Sequence, residues 1–107
     1  MPIAETPAAP YYAVIFTSTQ TPNLAGYDSM AEAMVTLAAR QPGFLGIESD
    51  RESIGITVSY WESLESIAAW KQNSAHLAAQ QHGRNVWYEE FKTRICRVER
   101  DYAFKKD

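Results

Sequence analysis

The 107-residue chain has little of several residue types, and each shortage excludes a class of protein. Cys96 is the single cysteine, which excludes a disulfide framework within the chain and a cysteine-rich zinc site. No run of about 18 apolar residues occurs, so no membrane-spanning helix is expected. The N-terminus also lacks the basic start and apolar run of about 7–15 residues that mark a secretory signal. We therefore expect a cytoplasmic protein that does not contact a membrane.

Basic residues, glycines and histidines are also few. The chain has 10 Lys and Arg against 13 Asp and Glu, a formal charge of −3, and the basic residues are scattered, which argues against a nucleic-acid partner. The five glycines are isolated, so no glycine-rich phosphate loop is present. His76 and His82 are six residues apart, whereas two metal ligands on one helical face are three or four apart. No metal site is predicted.

Apolar and aromatic residues are plentiful by comparison. Hydrophobic residues make up 46% of the chain and aromatic residues 12%, enough for the core of one domain. Residues 1–10 carry three prolines among small side chains, and we expect a flexible tail there, followed by a folded domain at 11–107. A domain of this size buries only about two-thirds of the surface of its unfolded chain. The 3 Trp, 6 Tyr and 4 Phe residues are therefore difficult to bury in a monomer.

The periodicity of the apolar residues predicts four strands and three helices. Residues 11–19 are β-branched and aromatic, as is typical of a central strand. Met30 and Met34 lie on one stripe of a helix at 27–40, and Ser29 and Glu32 have the spacing of a capping box at its start. The remaining elements are strands at 44–49, 54–61 and 87–102, a helix from residue 64 capped by Ser63, and a short helix at 75–82 capped by Ser74.

The resulting order, β-α-β-β-α-α-β, predicts a ferredoxin-like α+β sandwich with an antiparallel sheet. Ile56, Val58 and Tyr60 alternate along the third strand and give it an apolar face. Because the helices of such a fold lie on one face of the sheet, the other face needs a cover. We expect a second copy of the chain to supply it, giving a homodimer in which two sheets close into a barrel.

Three segments of this sequence resemble a known family. They are RQPGFLGIES at 40–49, VSYWESLESIAAW at 58–70 and SAHLAAQ at 74–80. Together with the last strand, they are similar to the antibiotic biosynthesis monooxygenase superfamily of dimeric α+β barrels. Members that resemble this chain include cofactor-independent oxygenases of polyketide anthrones, quinol oxygenases and haem-degrading oxygenases. The resemblance implies the fold strongly and the reaction weakly.

The haem-degrading branch can be compared position by position. Its motif places a tryptophan on the second helix, which Trp70 matches, and an iron-ligating histidine ten residues later, where this chain has Gln80. It also places a catalytic asparagine on the first strand, where this chain has Ile15 or Phe16. Two of the three residues are missing, so haem degradation ranks third among the hypotheses.

The first hypothesis is a cofactor-independent monooxygenase that oxidises a small hydroxylated aromatic compound or a quinol with O₂. Such a reaction needs a dry cleft, a stacking surface and a proton acceptor. Trp70 could stack on the substrate, and His76 could accept the proton, because histidine is the most common general base of enzymes near neutral pH. Side chains that could contact the substrate or hold an oxyanion or carbonyl are Phe16, Tyr60, Asn73 and Gln80. No cofactor and no metal is expected.

The second hypothesis is a non-catalytic dimeric module that binds a hydrophobic small molecule or assists a partner enzyme. Each candidate residue has a structural role that would fit this hypothesis equally well. Trp70 and Tyr60 could pack in the core, His76 could lie on the surface, and Asn73 and Gln80 could be solvated or capping groups. The sequence alone does not separate the two hypotheses.

Overall fold

A computed structural model describes residues 2–80 and 86–107 of the chain. It contains one four-stranded antiparallel sheet, in the order β2-β3-β1-β4, and two helices, which confirms the predicted ferredoxin-like α+β fold. Neither helix in this described part is long and apolar enough to cross a membrane. The elements are β1 Tyr11–Gln20, α1 Tyr27–Ala39, β2 Phe44–Arg51, β3 Gly55–Trp61, α2 Leu64–Gln80 and β4 Tyr88–Val98.

The second helix differs from the sequence prediction. The two helices predicted on either side of residue 74 are one continuous helix of 17 residues, α2. Ser74 is not a cap, because its hydroxyl donates to the Lys71 carbonyl at 3.1 Å inside the helix. A serine in mid-helix satisfies its hydroxyl in this way without ending the helix, and no glycine or proline stands between residues 64 and 80 to break it. The predicted end at His82 lies outside the described residues.

Both helices begin where predicted, but only one of the two predicted N-terminal caps is present. Ser63 caps α2 as predicted, since its Oγ accepts the backbone N–H of Ser66 at 3.1 Å. Helix α1 begins at Tyr27 as predicted, but the capping box predicted at Ser29 and Glu32 is wrong, because the N-cap residue is Gly26 and no side chain caps this end. The chain enters α1 through Gly26, whose φ of 79° lies in the left-handed region that glycine adopts without strain.

The core lies between the helices and one face of the sheet. Trp61 at the end of β3 is 0% exposed and packs with Val14, Ala38 and Ile67. Its indole Nε1 donates to Ser59 Oγ at 2.9 Å, which satisfies the buried ring nitrogen. In β3, therefore, the side chains that face the helices belong to Thr57, Ser59 and Trp61.

The opposite face of the sheet carries Ile56, Val58 and Tyr60, and neither of the two helices described here covers it. Ile56 is 47% exposed. Part of this face contacts the chain's own N-terminal residues, since the Ala4 N–H donates to Glu48 Oε2 at 2.9 Å and Thr6 Oγ1 donates to the Tyr11 hydroxyl at 3.0 Å. The expected mobility of residues 1–10 stays a prediction.

Candidate functional site

A cavity of about 600 Å³ lies between the sheet and the two helices, beside the Trp61 core. Its volume is in the range that holds a small organic molecule. Phe91 of β4 lines it and is 40% exposed, so the cavity is open towards solvent on the β4 side. Aromatic and thioether side chains dominate one part of its lining, namely Phe16, Met30, Met34, Trp70, Tyr88 and Phe91.

The aromatic side chains of the cavity hold one another in place. The Phe16 ring lies 5.4 Å from the Tyr88 ring at 72° and 5.4 Å from the Phe91 ring at 30°. Tyr27 of α1 meets Tyr88 edge-on, with ring centroids 5.9 Å apart. Contacts of this kind are favourable at these separations and angles. The cavity therefore has a preformed aromatic wall that spans β1, α1 and β4.

Trp70 forms the wall on the side of α2. It is half-buried and lines the cavity, while its indole stacks on Trp61 at 5.8 Å between centroids and 23° between planes. Trp61 is fully buried in the core, where it packs with Val14, Ala38 and Ile67. The core thus fixes the orientation of Trp70. The sequence placed Trp70 at a cleft, and the structure brings it together with the predicted contact residue Phe16.

Hydroxyl groups of the sheet form a polar part of the lining. Ser49 Oγ and Thr57 Oγ1 lie 2.9 Å apart across β2 and β3, and both residues line the cavity. Ser59 also lines it and is buried, and its Oγ accepts the Trp61 indole N–H. Since a hydroxyl both accepts and donates, the hydrogen of Ser59 is left for a further acceptor. The cavity thus combines an aromatic wall with several positioned hydroxyl groups.

Arg51, at the end of β2, supplies a positive charge to the same lining. Its guanidinium donates to the Ser18 carbonyl at 3.3 Å and, through Nη2, to the buried Ser18 hydroxyl. Arg51 pairs with Gly55 of β3, and a Cβ at Gly55 would lie 2.1 Å from the Arg51 Cζ. The absence of a side chain at Gly55 is therefore what lets the guanidinium lie across the hairpin.

The sequence reasoning missed Arg51. It ended the second strand at residue 49 and so left Arg51 in the loop before the strand predicted at 54–61, whereas β2 extends to Arg51 and the loop is only 52–54. The one sequence feature that could have indicated the longer hairpin is Gly55, because a glycine in a strand often marks a close approach by another group. Nothing in the sequence pairs Arg51 with Ser18, which is 33 residues away.

Tyr60, a predicted substrate contact, lies on the face of the sheet opposite the cavity. Its hydroxyl donates to Glu48 Oε1 at 2.6 Å, and its ring meets Tyr11 edge-on at 5.9 Å. Burial, followed by the hydrogen bond to the Glu48 carboxylate, raises the pKa of Tyr60 well above its usual value. Tyr60 was predicted to line the cleft because it lies on the apolar face of β3. The helices, however, pack on the other face of this strand.

Asn73 and His76 lie on the exposed side of α2 and are not among the residues that line the cavity. The lining positions on this helix are 67, 70, 71, 74 and 78, a single stripe. His76 is two residues from Ser74 and Ala78, about 200° around the helix from each. Asn73 Nδ2 donates to Gln41 Oε1 at 2.8 Å, which ties α2 to the turn after α1. The side chain of Gln80, the remaining candidate, lies outside the described part of the structure.

The described residues that line the cavity do not include a cluster of metal-binding side chains. Over residues 2–80 and 86–107, no group of three or more His, Cys, Asp or Glu side chains is placed to hold a metal ion. Asp50 is the one acidic residue among the described residues that line the cavity, and its carboxylate accepts the backbone N–H of Arg51 at 2.9 Å.

Two sequence comparisons give relatives of the chain. The model of the family described as antibiotic biosynthesis monooxygenase matches residues 10–82. An uncharacterised protein of Bacillus subtilis strain 168, YqjZ, is 50% identical over 107 residues, which cover 98% of this chain and 94% of the relative. The match thus extends over nearly the whole of both chains.

Solved structures share the fold at low sequence identity. PA3566 of Pseudomonas aeruginosa superimposes with a TM-score of 0.67 at 16% identity, covering 88% of this chain and 97% of that one. SnoaB, a cofactor-independent oxygenase of Streptomyces nogalater, superimposes with a TM-score of 0.62 at 13% identity, covering 92% and 100%. At these identities the likeness is one of fold.

Proposed function

Because the chain belongs to the antibiotic biosynthesis monooxygenase family, we propose that it oxidises a small hydroxylated aromatic compound or a quinol with O₂ and without a cofactor. The observation that carries the proposal is the cavity of about 600 Å³ with its preformed aromatic wall. Such a wall suits a flat ring system, and its apolar side chains exclude water from the ring surfaces that they contact.

The reaction requires only the substrate and O₂. Loss of a phenolic or enolic proton gives an electron-rich anion, which transfers one electron to O₂ and forms superoxide and a substrate radical. These combine to a peroxide at a ring CH₂ carbon, and loss of water leaves a carbonyl group. The CH₂ group and O₂ thus become C=O and H₂O. A quinol would instead give up two electrons and two protons and leave a quinone and hydrogen peroxide.

Different residues of the cavity serve different parts of this reaction. Trp70, held by Trp61, and Phe16 provide surfaces on which a ring can stack. The hydroxyl of Ser59 donates to the oxygen on which negative charge develops. Proton acceptance by His76 stays a prediction, as do the substrate contacts of Tyr60, Asn73 and Gln80.

The proposal includes a homodimer built on the sheet face opposite the cavity. Ile15, Val58 and Ile56 form an apolar patch on this face, which neither α1 nor α2 covers, and Ile56 is 47% exposed. Burial of such a patch against a second copy is favourable. Light scattering is expected to give a mass near 24 kDa, about twice the chain mass. A stable particle of the mass of one chain would contradict the dimer.

The decisive experiment is oxygen uptake with a panel of anthrones and quinols. Trp70→Ala is expected to lower kcat/KM at least about tenfold, because it removes the stacking surface of the cavity. Leu64→Ala is the matched control, since Leu64 lies on the same helix, is 52% exposed and does not line the cavity. Equal activity of Trp70→Ala and the control would contradict the proposed site.

A second candidate function is the non-catalytic binding module. The exposed position of His76, off the cavity stripe of α2, favours it, because the lining in the described part of the chain then contains no histidine to accept a proton. Tight binding of aromatic compounds with no oxygen uptake across the panel would support this second function and overturn the first.

A further inference from the structure

The Arg51 side chain places a cation at the wall of the cavity and has no acidic partner among residues 2–80 and 86–107. Its guanidinium bonds to the Ser18 carbonyl and hydroxyl, which are neutral acceptors. In the described part of the chain the structure records no ion pair for Arg51. A half-buried cation without a partner of opposite charge costs free energy. A guanidinium also has five N–H donors, and the two hydrogen bonds to Ser18 leave some of them for a ligand.

Contacts with β3 and β1 determine the position of the Arg51 guanidinium. Pairing of Arg51 with Gly55 brings the side chain across the hairpin into a space that any Cβ at Gly55 would fill. Ser18 of β1, which is 2% exposed, then orients the guanidinium by accepting two hydrogen bonds from it. A charged group held on two strands in this way is preorganised for a ligand, because its rotamer is already fixed.

The charge of the lining also differs from that of the whole chain. The chain carries a formal charge of −3. The described residues that line the cavity include two cations, Arg51 and Lys71, and one acid, Asp50, whose carboxylate already accepts a backbone N–H. The cavity is therefore a locally positive site in an acidic protein, which favours an anionic ligand.

We propose that the cavity binds a flat aromatic molecule that carries a carboxylate, with the Arg51 guanidinium bound to the carboxylate and the ring against Trp70 and Phe16. A guanidinium and a carboxylate match as a planar pair with two parallel N–H···O bonds. The proposal rests on the proposed function for the assignment of this cavity as the substrate site, and it adds the substrate class.

The test is equilibrium binding of a matched pair of probes, 2-naphthoate and 2-naphthamide, measured by calorimetry without any turnover. The two have nearly the same shape and differ in charge. The wild-type protein is expected to bind 2-naphthoate at least about tenfold more tightly than 2-naphthamide. Arg51→Met removes the charge while keeping the side-chain stem, and it is expected to abolish this preference with little change in the binding of 2-naphthamide.

Arg51→Lys keeps the test valid if Arg51→Met does not fold, and Arg97→Gln serves as the control. Arg51→Lys retains the charge without the planar donors and is expected to keep part of the preference. Arg97→Gln is the control, because Arg97 is exposed, pairs with Glu99 at 3.5 Å and does not line the cavity, so the preference is expected to be unchanged.

Three outcomes would overturn the proposal. The first is that folded Arg51→Met still prefers 2-naphthoate over 2-naphthamide, or that Lys71→Gln loses this preference in its place. The second is equal binding of both probes to the wild type, which would leave the proposed function intact because the cavity would still bind an aromatic ring. The third is binding of neither probe at millimolar concentration, which would also contradict the assignment of the cavity as a ligand site.

Discussion

The two faces of the sheet use polar groups for different purposes. On the cavity face, hydroxyls and a guanidinium, including Ser59 and Arg51, are held by neutral partners and retain donors for a ligand. On the opposite face, Tyr60 donates to Glu48, and Tyr11 donates to Asp101 near the C-terminus. The polar groups of the opposite face therefore form hydrogen bonds within the chain. Those of the cavity face retain donors that a ligand can use.

The comparison bears on how a functional site is recognised. Shifted pKa values often mark active sites. Among the described residues the groups with raised pKa are Tyr60, mainly through burial, and Tyr11, mainly through its hydrogen bond to Asp101, and both lie on the face away from the cavity. Here a raised pKa reports burial and hydrogen bonding within the chain. The cavity is identified by its shape, its aromatic wall and its unpaired cation.

The largest expected effect on stability comes from adding a methyl group at one of two glycines of the α1–β2 region. Gly43 has a φ of 85°, and a Cβ there would lie 2.1 Å from Ser66 Oγ at the start of α2. Gly43→Ala is therefore expected to lower the free energy of unfolding by at least about 2 kcal/mol, through backbone strain and displacement of the α2 cap. Urea denaturation followed by circular dichroism measures this change.

Gly46→Ala is the matched variant on the opposite face. Its Cβ would lie 2.8 Å from the Cβ of Ala4, but Ala4 belongs to the N-terminal segment, which we expect to be flexible and able to move away. The free energy of unfolding is expected to change by less than about 0.5 kcal/mol. A loss as large as that of Gly43→Ala would show that residues 1–10 are held as firmly as α2, and would contradict the predicted flexible tail.

Local sequence patterns predicted the elements, and tertiary contacts decided the site. The alternation of β3 predicted the two sets of side chains correctly, but an apolar set such as Ile56 and Val58 is equally suited to a helix layer or to a second sheet. The helices pack on the set of side chains that contains Trp61, so Tyr60 lies on the face away from the cavity. Arg51 could not be assigned from the sequence, because its role depends on a pairing with Ser18 from a distant strand.

A smaller effect, with its own pH dependence, is expected for Tyr60→Phe. Burial and the Glu48 carboxylate keep Tyr60 protonated in the folded state, whereas in the unfolded state its pKa returns to its ordinary value of 10.0. As the pH rises past 10, the unfolded state releases this proton and the folded state retains it. The wild type therefore loses stability with rising pH in this range, because its unfolded state binds fewer protons than its folded state.

Phenylalanine at position 60 has no proton to release, so the stability of Tyr60→Phe is expected to fall less steeply above pH 10. Below pH 10 the variant is expected to be less stable than the wild type by roughly 1 kcal/mol, the net contribution of one hydrogen bond, and the two curves then converge. Tyr102→Phe is the control, since Tyr102 is 100% exposed and its variant is expected to follow the wild-type curve. Parallel curves for Tyr60→Phe and the wild type from pH 9 to 11 would contradict a raised pKa at Tyr60, and with it the view that this face of the sheet is fastened by its tyrosines.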